Sequence, residues 1–304
     1  MQNKTDSIES SGLKIGVIVN FIMAVAGWLA YSVTNSEALL LDGNFSFIST
    51  LTSIGAIIII NKKHTKTQVF PYGRYFFESF FTLFKGILIL GLTITALFQN
   101  VIKIIDFANG ESMSQLKTGP ILIYMGLMLV LSFGIAYIYH LKNKSINYLS
   151  PILSVEAKSS KIDGYMTIAV GAALILTTIV PEDSRFSFLL YIGDSIIVIL
   201  MCLFLLKIPF QVIKHAFIEI GGGVIQDKEA GELIDKVIHK MVPDGFVFKN
   251  RYVTKNGSSY LIIIYVKPVK ENILVTQINS YREMVYKSLV GHYPNLEVEI
   301  IVHD

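Results

Sequence analysis

The stretch SEALLLDGNFSFISTLTSIGAIIIIN, residues 36–61, decides the fold. Only Glu37 and Asp42 carry charge within it, and the rest is apolar, small or hydroxyl-bearing. About 20 helical residues at 1.5 Å each cross the roughly 30 Å of bilayer hydrocarbon. In lipid the backbone must satisfy its own hydrogen bonds, so a lone segment of this kind has to be a helix. The same reading extends outward to six predicted spans, at 13–33, 38–61, 79–105, 119–140, 151–180 and 187–208.

Composition agrees. Of 304 residues, 52% are hydrophobic and 16% charged, where a soluble domain carries about 25% charged residues. The apolar runs end near residue 209, and Lys and Glu become denser beyond 226. Three parts are predicted: a polar N-terminal tail (1–12), a membrane domain (13–209) and a C-terminal domain (210–304). A net charge of +3 offers little to nucleic acid, and the single cysteine, Cys202, excludes an intrachain disulfide. No cleavable signal is expected, because the first apolar run lacks a small-residue cleavage site.

The loops set an expected orientation. Lys62, Lys63, Lys66 and Arg74 lie in one link, Lys142 and Lys144 in another, and Lys207 and Lys214 follow the last span. The other links carry Lys117 and Arg185 against Glu37, Asp106, Glu111, Glu182 and Asp183. The positive-inside rule puts both termini in the cytoplasm. Trp28 and Tyr31 fit the interfacial aromatic belt, and Phe76, Phe77, Phe80, Phe81 and Phe84 read as packing or lipid-facing residues.

Past Gly221-Gly222-Gly223 the pattern predicts a helix at 227–241, strands at 246–254 and 259–267 around the turn Lys255-Asn256-Gly257, a helix at 275–290 and a strand at 297–302. This αββαβ order fits a small α+β domain of ferredoxin-like type, with helices on one face of a sheet. So small a core would gain from dimerisation.

Ionisable residues within spans are expensive and usually functional. Asp42 falls in the second span, Lys85 in the third, Glu156, Lys158, Lys161 and Asp163 in the fifth, and Asp194 in the sixth. Lys85 is placed where its stem can snorkel toward the cytoplasm. Asp194 reads as a carboxylate in the first turn of its own helix, where the dipole favours it. Asp163 lies deepest. No Ser-His-Asp set, Gly-rich loop or metal-hydrolase motif points to an enzyme.

Several segments resemble the cation diffusion facilitator family. Ser36-Glu37-Ala38-Leu39-Leu40-Leu41-Asp42-Gly43 looks like the start of its second helix. Phe70-Pro71-Tyr72-Gly73-Arg74 with Glu78 looks like its cytoplasmic motif. Glu156-Ala157 with Asp163 looks like its fifth helix, and Gly193-Asp194 like its sixth. The resemblance implies a homodimeric secondary transporter in the plasma membrane, exporting a divalent cation in exchange for protons. It also implies a central site of two side-chain pairs, each pair at a four-residue spacing that shares one helical face.

At those positions this chain carries Phe45 and Ser49 on the second helix and Ser159 and Asp163 on the fifth. None of the six His residues lies deep in a span. Zinc is held by Cys, His and carboxylate at about 2.0–2.3 Å, so a standard zinc site is not expected. Oxygen donors suit hard cations. Three outcomes stay open: a hard-ion site at Asp163, Ser159 and Ser49 for sodium, magnesium or another metal ion; a site that has moved; or a transport-inactive subunit regulating a partner. Asp42 lies one turn outward of the central position and Glu156 one turn inward, so the two would serve as outer and inner way-stations of a cation or proton path through Asp163. Otherwise both are helix-end acids, with Glu156 paired to Lys158 or Lys161. No resident cofactor is expected. Arg74 is expected to pair with Glu78 at i, i+4 or to touch lipid headgroups. In the C-terminal domain, Phe248, Tyr265 and His303-Asp304 stand where relatives often bind further metal.

Overall fold

The computed structural model describes residues 2–111, 119–148, 150–178, 180–181, 183–225, 228–269, 274–293 and 295–303. Its elements in order are α1 (Gln2–Thr34), α2 (Glu37–Ile60), α3 (Phe76–Ala108), α4 (Gly119–Ser145), α5 (Pro151–Thr178), α6 (Leu189–Leu205), α7 (Lys207–Ile220), α8 (Lys228–Met241), β1 (Phe246–Asn256), β2 (Ser259–Pro268), α9 (Val275–Leu289) and β3 (Asn295–Val302). They form two compact units, one of Met1–Lys62 with Phe84–Ile213, the other of Lys63–Leu83 with Lys214–Asp304.

Among the described residues, five helices are long and apolar enough to cross a membrane: Asp6–Thr34, Glu37–Ile60, Phe76–Ala108, Ile121–Ser145 and Leu189–Ile220. The chain is a multi-pass membrane protein. The predicted fifth span, α5, is a helix of 28 residues, but Glu156, Lys158, Lys161 and Asp163 make its first half polar. The last span does not stop at 208 as expected. Helix resumes at Lys207 and runs to Ile220, and the break at Leu206 follows from Pro209, which has no N–H for the carbonyl of Leu205.

In the first unit α1, α2, α4 and α5 pack together, and α6 lies against α2 and α5. Asn35 takes a left-handed φ of 58°, which folds α2 back along α1 in a two-residue link. The two helices then meet backbone to backbone. A Cβ added at Gly27 would lie 2.6 Å from the Cα of Gly43, so only glycine permits this approach, as at many membrane helix crossings. The approach fixes Asp42, the neighbour of Gly43, at the α1–α2 crossing. Met23, Leu39, Leu41, Tyr124, Met128, Val198 and Cys202 fill the core around it. Much of α3 is exposed apolar surface, including Phe84, Ile87, Phe98, Ile102 and Ile105, as a lipid-contacting helix requires. Trp28, expected in the interfacial belt, donates from Nε1 to Asn44 Oδ1 at 3.0 Å and so ties α1 to α2.

The second unit contains a three-stranded sheet in the order β1-β2-β3. β1 pairs antiparallel with β2 through Asn256↔Ser259. The predicted turn is therefore tighter than expected: Lys255 and Asn256 belong to the strand, and Gly257-Ser258 is the loop, with Gly257 at φ 60°. β2 pairs parallel with β3, which requires the crossover that α9 supplies. Ile262, Ile264 and Val266 alternate inward from β2 and pack with Ile234, Ile238, Tyr281, Val285 and Leu289 of α8 and α9.

Candidate functional site

Two polar stripes line the interior of the first unit. On α2 they are Asp42, Ser46, Ser49 and Ser53; on α5 they are Glu156, Ser160, Asp163 and Thr167. Each set follows a 4-3-4 spacing, which keeps its members on one helical face. Ser46, Ser53, Glu156, Ser160 and Thr167 are buried, and Asp42, Ser49, Ser159 and Asp163 are half-buried.

The three acids differ in what they touch. Asp42 Oδ2 accepts from the Tyr124 hydroxyl of α4 at 2.6 Å. A cavity of about 10 Å³ opens beside it, lined also by Tyr124, Thr167, Val170 and Gly171; that is room for one water. Glu156 does not pair with Lys158 or Lys161. Its Oε1 accepts from Lys85 Nζ of α3 at 2.9 Å, so Lys85 points inward to this acid rather than snorkelling. Asp163 has no hydrogen bond or ion pair to its carboxylate among the described residues, although Thr167 Oγ1 donates to its backbone carbonyl at 3.0 Å. The charges that act on it are those of Asp42, Lys85 and Glu156. The fold thus gathers three acids and one base from three helices into one electrostatic group.

Ser49 and Ser159 offer hydroxyls with no hydrogen-bond partner among the described residues, and Phe45 packs against the apolar core. Among the described residues no group of three His, Cys, Asp or Glu side chains could hold a metal ion together. The acids and the hydroxyls of the two stripes are oxygen donors, a set chemically suited to a hard cation.

Asp194 has a role that spacing did not reveal. It sits in the second turn of α6 and is fully buried, and its carboxylate serves α2 rather than its own helix. Oδ1 accepts from Ser36 Oγ at 2.9 Å and from Ala38 N at 3.3 Å, and Oδ2 accepts from Glu37 N. These are the orphan donors at a helix start, where an anion is favoured. Tyr124 was also missed: a tyrosine in an apolar span needs a partner for its hydroxyl, but the sequence did not name which.

In the second unit Glu78 pairs with Lys63 at 2.9 Å and accepts from Ser258 N at 2.5 Å. It does not pair with Arg74, whose guanidinium lies over the Phe70 ring, 5.9 Å from its centroid. Ser79 Oγ donates to Glu219 Oε2 at 2.7 Å and accepts from Gly257 N at 2.8 Å, so the start of α3 grips the β1–β2 loop. Phe248 and Tyr265 pack against the rings of His239 and Tyr252, at 4.5 and 5.7 Å. Asp304 lies outside the described residues. Asp235 accepts from Arg251 Nη2 at 2.8 Å, and this hydrogen bond holds its carboxyl below the usual range despite partial burial.

No curated protein matches the chain. The family model of the cation efflux transmembrane domain matches residues 13–220, from the middle of α1 to the end of α7. That covers well over half of the chain and every acid of the group, so the protein belongs to the cation efflux, or cation diffusion facilitator, family.

Proposed function

We propose that this cation transporter exports its cation from the cytoplasm in exchange for protons, through Asp42, Asp163 and Glu156, and that it is not a standard zinc exporter. The observation that carries the reading is Asp163, a carboxylate within the bundle that lacks a partner among the described residues and lies in the field of two further acids. A carboxylate in a low-dielectric site can hold a proton or a cation, and each excludes the other. Exchange needs no more than that, together with alternating access from the two sides. Ser159, one turn before it on α5, and Ser49 of α2 would supply neutral oxygens. With one central carboxylate, a monovalent or weakly held hard cation such as sodium or magnesium is easier to balance than zinc.

In this reading α5 is a sixth span with its polar face toward the pathway, and both termini are cytoplasmic. Asp42 is then the outer station and Glu156 the inner one. The 1–12 tail, the 13–209 membrane domain and the 210–304 domain are the working divisions. The αββαβ domain is ferredoxin-like and serves dimerisation and regulation of a plasma-membrane homodimer. A second reading, a transport-inactive member that regulates a partner, is favoured by Phe45, Ser49 and Ser159 at the family's ligand positions. Proteoliposomes loaded with a pH-sensitive dye and challenged with sodium, potassium, magnesium, manganese and zinc separate the two. Proton movement driven by a hard cation is the expected result. No response to any ion, together with co-purification of a ligand-complete relative, would favour the regulatory subunit.

A further inference from the structure

The ion pair Lys85–Glu156 joins α3 to α5 at 2.9 Å, with the two side chains 13% and 6% exposed. A pair this buried is a poor source of stability, because desolvating both charges offsets their attraction. Two further polar groups stand near it with no partner but each other. The Tyr139 hydroxyl of α4 and the Ser53 hydroxyl of α2 are fully buried and face each other, with no further hydrogen-bond partner for either among the described residues. The Tyr139 hydroxyl lies beside that of Ser53 and within the field of Glu156. Gly16 of α1 leaves room for it, since a Cβ there would lie 1.7 Å from the hydroxyl oxygen. Buried hydroxyls short of partners are costly and rare in folded proteins.

We propose that Glu156, Ser53 and Tyr139 form an inner site for a monovalent hard cation, in which the Lys85 ammonium stands in for that cation. This deepens the transport reading and rests on it for the source of the cation. The donors are one carboxylate and two hydroxyls, a hard oxygen set without nitrogen or sulfur. Lys85 carries a single positive charge on a flexible stem. An alkali cation arriving at Glu156 replaces that charge one for one and frees Lys85 to withdraw. A divalent ion would leave an extra positive charge in the bundle. Lys85 is therefore a tethered competitor that sets how tightly the inner site holds its ion.

The test uses the purified full-length protein in detergent. Its thermal midpoint is followed against lithium, sodium or potassium chloride, at an ionic strength held constant with N-methylglucamine chloride. Lys85→Ala and Lys85→Gln leave Glu156 without its counter-charge, so both should melt earlier. One alkali cation should then raise their midpoints saturably, by about 3 °C or more at ten times its dissociation constant. Lys85→Ala/Glu156→Gln should show no such response. Tyr139→Phe in the Lys85→Ala background should raise the half-saturating concentration by about tenfold. The proposal is overturned if folded Lys85→Ala and Lys85→Gln ignore all three cations, if the Glu156→Gln double variant responds equally, or if neither single variant folds even in high concentrations of each cation. Absence of flux in the wild type would remove the transport reading and leave these midpoints standing. Cation-blind midpoints with intact flux would remove the inner site alone.

Discussion

Two aspartates within the bundle teach different things about this molecule. At the start of α2, Asp194 accepts from Ser36 Oγ, Glu37 N and Ala38 N. In the middle of α5, the carboxylate of Asp163 has no partner among the described residues. The first acid has its acceptor capacity taken up by the protein and acts as a cap. The second has that capacity free among the described residues, and in the proposed reading a cation or proton takes it up. A charge within an apolar bundle marks both; accounting for hydrogen bonds separates them.

The largest test of that contrast is paired truncation. Asp194→Ala strands three donors and should lower stability by about 2–3 kcal/mol. Asp163→Ala removes a group with no partner to strand and should leave the thermal midpoint unchanged or higher. Equal losses at both positions, measured by thermal unfolding in detergent, would erase the distinction.

Next in size is Gly27→Ala. The new methyl meets the Gly43 backbone and should cost about 1–3 kcal/mol by overpacking. It also pushes α2 away from α1 beside Asp42, so cation affinity should fall along with stability. A stability loss with unchanged affinity would show that Asp42 is not held by this crossing.

Trp28→Phe removes one hydrogen bond to Asn44 and should lower stability by about 1 kcal/mol. Its midpoint should not depend on the transported ion, which marks Trp28 as a tie between helices and not part of the path.

The smallest effect belongs to the half-exposed pair Asp235–Arg251. Arg251 holds the Asp235 carboxyl below its unfolded value, which is about 3.9. Its contribution is therefore complete above about pH 4 and is lost as pH falls through the lowered folded value. Solvent screening keeps it below about 1 kcal/mol. Arg251→Ala should flatten this part of the acid-unfolding curve; an unaltered curve would assign the acid sensitivity elsewhere.

How much of this was legible in the sequence depends on how far apart the partners lie. The apolar runs of α1 to α4 announce themselves, because a span is a local property of about 20 residues. The αββαβ order was legible for the same reason, as alternation and turn residues are local. Asp42, Glu156 and Asp163 could be named as candidates because a charge in an apolar run stands out. Their partners were not. Glu156 meets Lys85 across 71 residues, Asp42 meets Tyr124 across 82, and Asp194 meets Ser36 across 158. Within the sequence, Lys158 and Lys161 were the nearest candidates for Glu156. In the bundle α3 supplies the counter-charge. The end of the last helix was missed because Pro209 interrupts the ladder for one residue only and helix resumes at Lys207.

The most direct test of the central claim is cation-driven proton flux in proteoliposomes carrying Asp163→Asn, with Asp194→Asn and the wild type alongside at equal amounts of folded protein. The amide preserves shape at Asp163 but cannot carry charge, so flux should disappear while the midpoint holds. Asp194→Asn should melt earlier yet still transport in the fraction that remains folded. Undiminished flux through Asp163→Asn would contradict the account.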